Sequence, residues 1–486
     1  MDRAMSLAAL CQDLGQCQTD GLITGLTLDS RGVRPGDAFI ALDGSHVSGV
    51  DYIEQAVSLG ASAIIASRAV IVPAGVGVAV IAELSVSLAE LAARFYQTSV
   101  RTIPVIAITG TNGKTSTVNL VAQLLIQLGR KPATIGTLGA DYGTRHDGTL
   151  NTTPDVVTTH RWLAEVESDG ADLLALEASS HGLHQGRLTG IPITTAAITN
   201  ITQDHLDYHG TMEAYTDAKA RLLDWTTLET VVLDLDCTRV ASLRSRCSDR
   251  LRVIGFSLRQ AEAATVQVVY RGSAQGTEIS LSSPWGDSSF TTSLVGEFYV
   301  RNLVTAMLVL LSQGFDLDEL VRVAPQVQGV PGRLQQVEGA HDIAVFIDYA
   351  HTPDAIAGVL SILRPLTQGK LWIVFGCGGD RDPLKRPMMG RAVAEGADYA
   401  ILTSDNPRSE PPAKIVADIV SEGMQPFAIC LDRAEAITKA VLEAGSGDTV
   451  VIAGKGHEQE QVMADVILPF CDYSVACQAL SLRARV

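Results

Sequence analysis

The sequence predicts an α/β protein built from about three domains, since 486 residues divide by a prior of ~100–200 residues per domain. Three observations carry this. A β-branched run, Val105–Ile108, meets a Gly/Asn turn and then the amphipathic stretch Ser116–Leu128, which gives strand–loop–helix. The last third of the chain alternates strand and helix patterns, which implies a parallel sheet covered by helices on both faces. Hydrophobic residues make up 46% of the chain and charged residues 19%, which excludes a disordered or low-complexity polymer.

The first block covers about residues 1–100. Ile23–Asp29 runs into the turn-rich Ser30–Asp37, and Ala38–Leu42 is an apolar run. Tyr52–Leu59 is helix-like and stops at Gly60; Ala61–Ala66 and Val76–Ile81 read as strands. Val86–Tyr96 carries Leu88, Leu91, Ala92 and Phe95 at helical spacing, and Thr98–Pro104 reads as a linker.

The second block covers about 101–332. In its opening helix Val118, Val121, Ala122, Leu125 and Leu128 share one face, and Gly129 stands where a helix stop belongs. Leu173–Leu176 and Ala196–Ile198 read as buried strands, and Val300–Leu311 as a helix ended by Gly314. Val253–Leu281 alternates apolar and polar residues, which predicts antiparallel sheet; Pro331-Gly332 reads as a hinge. In the third block, 333–486, strands are expected at Val345–Ile347, Leu371–Phe375, Tyr399–Thr403, Ala428–Leu431 and Thr449–Ala453, with helices at Asp354–Leu363, Ala413–Ser421 and Ala434–Glu443.

Composition narrows the function classes. The longest apolar stretch, near Leu303–Leu311, is too short to span a bilayer, and Met1–Cys17 has no sustained apolar core, so neither membrane insertion nor a signal peptide is expected. The net charge of −17, from 37 Lys+Arg against 54 Asp+Glu, argues against nucleic acid. Eight scattered cysteines without a C-x-x-C pair read as reduced thiols of a cytoplasmic protein, and Cys377 as a structural one.

The strongest motif is Thr109-Gly110-Thr111-Asn112-Gly113-Lys114-Thr115-Ser116. Glycines let backbone N–H groups turn toward phosphate, and the helix N-terminus adds partial positive charge. Lys114 would reach the β/γ-phosphates and Thr115 would hold Mg²⁺. The full pattern needs Gly at 108, where Ile108 stands, so this is a shortened P-loop. Glu177, in Glu177-Ala178-Ser179-Ser180-His181, ends a buried strand and suits a metal near the phosphates. Asp204, His205, Asp207 and His209 are metal ligands, general bases or a plain polar turn, and Lys219 follows on a helix-like stretch. Four strand ends of the last block carry polar loops: Asp348–Pro353, Gly376–Asp382, Asp405–Arg408 and Gly454–Glu458. That edge of an open α/β sheet is where ligands bind, and Arg381 and Arg408 are suited to fork onto carboxylates of a small acid. Ser30, Arg31 and the loop Gly44–Gly49 read by themselves as turns.

The order GTNGKTS, EASSHGL, TNITQDHLDYHG with Lys219, VPGRL, DYAHTPD, GCGGDRD, DNPR and GKGHE resembles the Mur ligase family over nearly the whole chain, and within it the diaminopimelate-adding branch. The resemblance implies a UDP-sugar-binding N-terminal domain (1–100), a central P-loop ATPase domain (101–332) and a Rossmann-like C-terminal domain (333–486). It implies a cytoplasmic, monomeric ATP-dependent amide ligase using Mg²⁺, with ATP, UDP-N-acetylmuramoyl-L-Ala-D-Glu and meso-diaminopimelate as substrates. By matching position, ATP would be held by Gly110, Thr111, Asn112, Gly113, Lys114, Thr115, Ser116, Asn302, Arg333, Asp348 and His351. The sugar-peptide would be held by Leu28, Ser30, Ser45, His46, Val47, Asn151, Thr152, Thr153, Ser179, Gln185 and Arg187. Diaminopimelate would meet Arg381, Asp405, Asn406, Pro407, Arg408, Gly454 and Glu458. Lys114, Glu177, His205 and Lys219 would be catalytic, with Thr115, Glu177, His205 and Lys219, as a carbamate made from CO₂, holding Mg²⁺. Two departures lie on the expected adenine side: Tyr299 stands where the family has Asn, and Leu233–Cys237 replaces an Asn/Asp-rich turn. Rival readings are a sister ligase adding lysine or D-Ala-D-Ala, a folylpolyglutamate synthetase, and a nonenzymatic P-loop switch.

Overall fold

The computed structural model describes residues 4–44, 47–100, 102–143, 145–148, 151–273, 276–337, 342–464 and 466–484. Its contacts divide into two compact units. One comprises Met1–Tyr270, Glu278–Thr292 and Val300–Val327; the other Arg271–Thr277, Ser293–Tyr299 and Gln328–Val486.

Besides the short pair Met5–Ser6 with Leu22–Ile23, the first unit holds two large sheets. A five-stranded sheet has the order Gln16–Thr19, Gly77–Val80, Ala63–Ala66, Asp37–Ala41, Gly25–Thr27. Its pairs are parallel except the first. Ala38, Ile40, Ala63 and Ile65 point to one core and Phe39, Ala41, Ile64 and Ala66 to another, as the two-residue period of a doubly covered sheet requires. The second, 11-stranded sheet has a run of parallel strands, six of which carry the core. In spatial order these are Pro132–Gly136, Leu173–Glu177, Val105–Thr109, Ile193–Ile198, Thr230–Asp234 and Arg252–Ser257. Parallel pairing brings the ends Thr109, Glu177 and Ile198 to one edge, and the functional loops leave from there.

The start of Val253–Leu281 departs from the expected antiparallel sheet. Arg252–Ser257 pairs in parallel with both Thr230–Asp234 and Val266–Ser273. Alternating polarity marks a strand but not its direction. Direction is set here by the crossover through the helix Thr238–Ser242 and the 3-10 turn Leu243–Arg246, which returns the chain the same way. The stretch Thr98–Pro104 is no loose tether. Thr98 is buried, its Oγ1 lies 2.7 Å from His160 Nδ1, and His160 Nε2 lies 2.9 Å from the Thr189 carbonyl. A carbonyl only accepts, so Nε2–H donates to Thr189 and neutral Nδ1 accepts from Thr98.

The second unit contains a six-stranded sheet in the order Gln335–Gln336, Ala344–Asp348, Thr449–Ala453, Leu371–Phe375, Tyr399–Leu402, Ala428–Ile429. Every pair but the first is parallel. The four polar loops singled out in the sequence therefore leave from one edge. Thr352 caps the helix Pro353–Leu363 and Asp432 caps Arg433–Glu443, each by accepting a backbone N–H. Two further helices, Lys385–Gly396 and Asp472–Arg483, add to those expected from the sequence. Among the described residues no helix is long and apolar enough to cross a membrane.

Candidate active site

The strand Val105–Thr109 is buried along its length and delivers the loop 110–113 to the N-terminus of the helix Lys114–Gln127. Gly110 (φ 150°) and Gly113 (φ 88°) are irreplaceable on steric grounds. A Cβ on Gly110 would lie 2.0 Å from Thr199 Oγ1, and one on Gly113 would lie 2.4 Å from Asn302 Oδ1. Asn302 thus sits buried against the loop, where it also accepts from Thr117 Oγ1 at 3.4 Å. The backbone N–H groups of Thr111 and Asn112 donate to the carbonyl and the side chain of Asn200, at 2.8 and 2.9 Å, which locks the loop to the end of the neighbouring strand. Lys114 Nζ donates to the carbonyls of Gly110 and Thr111, both at 2.9 Å. Ser116 is buried in the first helical turn.

Glu177 is 2% exposed and joins three segments. Its Oε2 accepts from Thr115 Oγ1 at 2.9 Å and its Oε1 from the Thr137 N–H at 2.7 Å. Its own carbonyl accepts from Thr153 Oγ1 at 2.8 Å. The same Thr153 oxygen accepts from the Ser179 N–H at 2.9 Å, and Thr152 meets Thr137 at 3.1 Å. Arg187 Nη1 donates to the Thr153 carbonyl at 2.7 Å and Nε to Gln185 Oε1 at 2.9 Å; Gln185 Nε2 reaches Tyr208 OH at 3.1 Å. Thr152, Thr153, Ser179, Gln185 and Arg187 therefore form one connected patch around Glu177, and Asn151 adjoins it in sequence.

Lys219, on the helix Met212–Ala220, is 1% exposed. Its Nζ donates to the Gly110 carbonyl at 2.7 Å and lies 4.6 Å from the Tyr215 ring centroid, while Tyr215 OH meets Thr111 Oγ1 at 3.0 Å. Burial, and then the nearby Lys114 charge, hold the Lys219 amine well below its ordinary pKa. A neutral amine is a nucleophile toward CO₂; an ammonium is not. His205 stands at φ 51° with its Nε2 3.4 Å from Asp204 Oδ2. Its ring packs 4.8 Å from that of His181, which in turn lies 5.5 Å from that of His209. Desolvation carries the His209 pKa down to about 4 and lowers that of His181 as well. Among the described residues no three His, Cys, Asp or Glu side chains converge as a metal cage.

In the five-stranded region Ser30 is buried and its hydroxyl donates to Gln55 Oε1 at 2.7 Å. Leu28 is half-buried and Val47 exposed. Ser45 and His46 lie outside the described residues.

In the second unit, Asp348 accepts the Leu334 N–H at 2.6 Å and the Ala350 N–H at 2.7 Å, and burial raises its pKa. The Arg333 guanidinium lies 4.7 Å from the Tyr349 ring centroid, and His351 Nδ1 donates to the Tyr349 carbonyl at 2.7 Å. The two sequence departures have structural tasks. Tyr299 is buried and its hydroxyl donates to the Arg333 carbonyl. In the first unit Asp234 and Asp236 hold Arg301 at 2.7 and 3.0 Å.

The Asp405–Arg408 loop is fixed from both sides. The Gly379 N–H donates to the Asn406 carbonyl at 2.9 Å, and a Cβ on Gly379 would lie 1.9 Å from the Pro407 carbonyl oxygen. Arg408 holds φ 50° and its Nη1 donates to the Gly379 carbonyl at 2.8 Å. A left-handed arginine is unfavourable unless its surroundings enforce it. Here the hairpin strand Glu460–Met463 does so, by accepting the Arg408 N–H at Val462 and placing the Ala464 N–H on the Arg408 carbonyl. Asp405 and Asn406 are buried, and Arg381 is exposed. Gly454 (φ 116°) passes so close that its Cβ would lie 2.5 Å from Asp405 Oδ2. Sequence reasoning missed the groups behind these loops, chiefly Tyr215, Arg433 and Lys455. Nothing in a single sequence marks a charged or phenolic side chain as buried.

The Mur ligase middle domain matches residues 108–310, the Mur ligase glutamate ligase domain 332–456, and the Mur ligase family catalytic domain 22–106. The UDP-N-acetylmuramoyl-L-alanyl-D-glutamate–2,6-diaminopimelate ligase of Ectopseudomonas mendocina (strain ymp) is 41% identical, over 97% of this chain and 98% of its own length. A solved structure of a ligase with that name has TM-score 0.69 and 36% identity, covering 96% of each chain. The UDP-N-acetylmuramoylalanyl-D-glutamyl-2,6-diaminopimelate–D-alanyl-D-alanyl ligase of Acinetobacter baumannii shares the fold at TM-score 0.68 with 18% identity, over 100% of this chain and 99% of its own. With full-length identity of this order and all three domain types matched in sequence, the chain belongs to the Mur ligase family and has its three-domain α/β fold.

Proposed function

We propose that this chain joins meso-diaminopimelate to the D-Glu of UDP-N-acetylmuramoyl-L-Ala-D-Glu at the expense of ATP, through an acyl phosphate. The observation that carries the reading is the Asp405–Arg408 loop, locked against two Gly-rich neighbours with its arginine in an enforced conformation. The name shared by relatives about 40% identical over the whole chain supports it. Residues 1–100 are assigned to the UDP-sugar, with Leu28, Ser30 and Ser45–Val47; residues 101–332 to ATP and the muramoyl-peptide; residues 333–486 to diaminopimelate. The enzyme is taken to act as a cytoplasmic monomer.

In this reading the N-terminus of the helix Lys114–Gln127 and the Lys114 side chain receive the ATP phosphates, and Asn302, Arg333, Asp348 and His351 serve the nucleoside side. The D-Glu carboxylate attacks the γ-phosphorus, ADP leaves, and the amine of diaminopimelate displaces phosphate from the acyl carbon. Carboxylate and triphosphate repel each other, so Lys114 acts by offsetting charge that grows as they meet. The patch of Thr152, Thr153, Ser179, Gln185 and Arg187 orients the acceptor. Arg381 and Arg408 hold the remote carboxylate of diaminopimelate, with Asp405, Asn406, Pro407, Gly454 and Glu458 shaping the pocket. Lysine lacks that carboxylate and would leave Arg408 unpaired, which is a basis for rejection.

The donor set fits Mg²⁺. The hard oxygens of Thr115 and Glu177 sit 2.9 Å apart at the loop, as suits an ion that takes one or two carboxylates plus substrate phosphates. His205 would join them, and a Lys219 carbamate would suit a second Mg²⁺; the ions would supply Lewis-acid stabilisation of phosphoryl oxygens. The test is ADP release from the purified enzyme with each substrate omitted in turn. Release that needs all three, and that lysine does not support in place of diaminopimelate, bears the reading out. Equal use of lysine overturns it.

A further inference from the structure

Behind the Asp405–Arg408 loop lies a charged side chain that the mechanism above does not use. Lys455 is completely buried, yet it carries an ion pair: its Nζ donates to Glu458 Oε2 at 2.8 Å and to Asn406 Oδ1 at 2.9 Å. Asn406 Oδ1 takes a second donor, the Val462 N–H at 2.9 Å. Two donors on one oxygen settle which end of the amide is which. Asn406 Nδ2 must therefore face the other way, and it donates to the same Glu458 Oε2 at 2.9 Å.

The consequence falls on Glu458. Its Oε2 is committed to Lys455 and Asn406, while among the described residues Oε1 has no hydrogen-bond partner, and the side chain is 32% exposed. The carboxylate is thus pinned by its inner oxygen and offers its outer one. A flexible glutamate at a loop end would lose rotamer freedom on binding a ligand; this one has lost it in advance.

We infer that Lys455 is a positioning residue for amino-acid recognition: it fixes the Asn406 amide and turns Glu458 Oε1 outward to accept an ammonium group of the incoming amino acid. The inference rests on the proposed function, and it adds Lys455 to the residues on which amino-acid affinity depends. Without Lys455 the Asn406 amide is free to rotate, and Glu458 is free to turn away.

The test measures ADP release in the full-length enzyme, with diaminopimelate and ATP titrated separately, for wild type, Lys455→Met, Glu458→Gln and the double variant. Lys455→Met should raise KM for diaminopimelate by about tenfold or more, as expected for a lost charge-assisted contact, with KM for ATP within about twofold. Because both residues act through one contact, the double variant should be no worse than Glu458→Gln alone, rather than showing the product of the two effects. A folded Lys455→Met enzyme with unchanged diaminopimelate KM, equal losses for ATP and diaminopimelate, or multiplicative effects in the double variant would each overturn the assignment. If Lys455→Met fails to fold, the double variant, which leaves no unpaired buried charge, still decides: a diaminopimelate KM equal to that of Glu458→Gln supports the inference, and a further rise overturns it. Wild-type enzyme without diaminopimelate-dependent ADP release would overturn the proposed function, and this inference with it.

Discussion

The buried pair Arg433–Asp472 makes the most demanding test of how the C-terminal sheet holds its loops. Both side chains are 0% exposed, and the contact is two-pronged, with Nε to Oδ1 and Nη2 to Oδ2 each at 2.7 Å. The guanidinium also donates to the carbonyls of Ala453, at 2.9 Å, and Ser404, at 3.4 Å. Those carbonyls immediately precede Gly454 and Asp405, so one arginine ties together the starts of two candidate loops. Replacing Arg433 by Met leaves the Asp472 carboxylate buried and unpaired, which costs about 3–5 kcal/mol. Hydrogen exchange of peptides spanning Leu371–Phe375 and Thr449–Ala453 reads this sheet separately from the rest of the chain. Protection there should fall by roughly two to four orders of magnitude, at about 1.4 kcal/mol per factor of ten. Replacing both residues, Arg433→Met with Asp472→Leu, removes the orphaned charge and should recover most of the loss. Single variants that lose less than about tenfold protection, or a double variant that loses the sum of both, would refute the reasoning.

Three further outcomes are expected. His160 is buried and neutral, with a pKa lowered by desolvation to about 4 against an ordinary 6.5. The unfolded chain therefore binds more protons in that window, and stability should rise with pH from about 4 to 6.5 by up to about 3 kcal/mol from this site. His160→Gln should flatten that part of the thermal-stability profile, and an unchanged slope would contradict the assignment. Lys219→Ala should abolish turnover, with partial rescue by a small carboxylic acid that replaces the carbamate; full activity in the variant would exclude that role. Arg408→Ala should weaken diaminopimelate by about 2–4 kcal/mol while nucleotide affinity, measured by calorimetry, stays within about twofold.

Much of this was legible in the sequence because the informative residues are local. Val105–Ile108 followed by Gly110, Gly113 and Lys114 specifies strand, turn and helix by short-range rules, and the structure has them in those places. The polar ends of four parallel strands were legible for the same reason. Strand direction at Arg252–Ser257 was not, because direction depends on the crossover and not on polarity. The helix Lys385–Gly396 was hidden by Pro387, Gly390 and Gly396, which break its helical pattern. Gly390 is there for packing: a Cβ would lie 2.2 Å from the Ile419 carbonyl of the helix Pro412–Val420. Least legible were Arg433, Lys455 and Asp472. A charged residue in a sequence reads as surface, and only tertiary contacts show that these three are interior.

Which amino acid the enzyme joins is decided by a competition. The enzyme is given ATP, Mg²⁺, UDP-N-acetylmuramoyl-L-Ala-D-Glu and equal concentrations of meso-diaminopimelate and L-lysine, and the product is weighed by mass spectrometry. The expected product is heavier than the acceptor by one diaminopimelate less water, with the lysine adduct a trace. A lysine adduct in comparable amount, or consumption of ATP without either adduct, would contradict it.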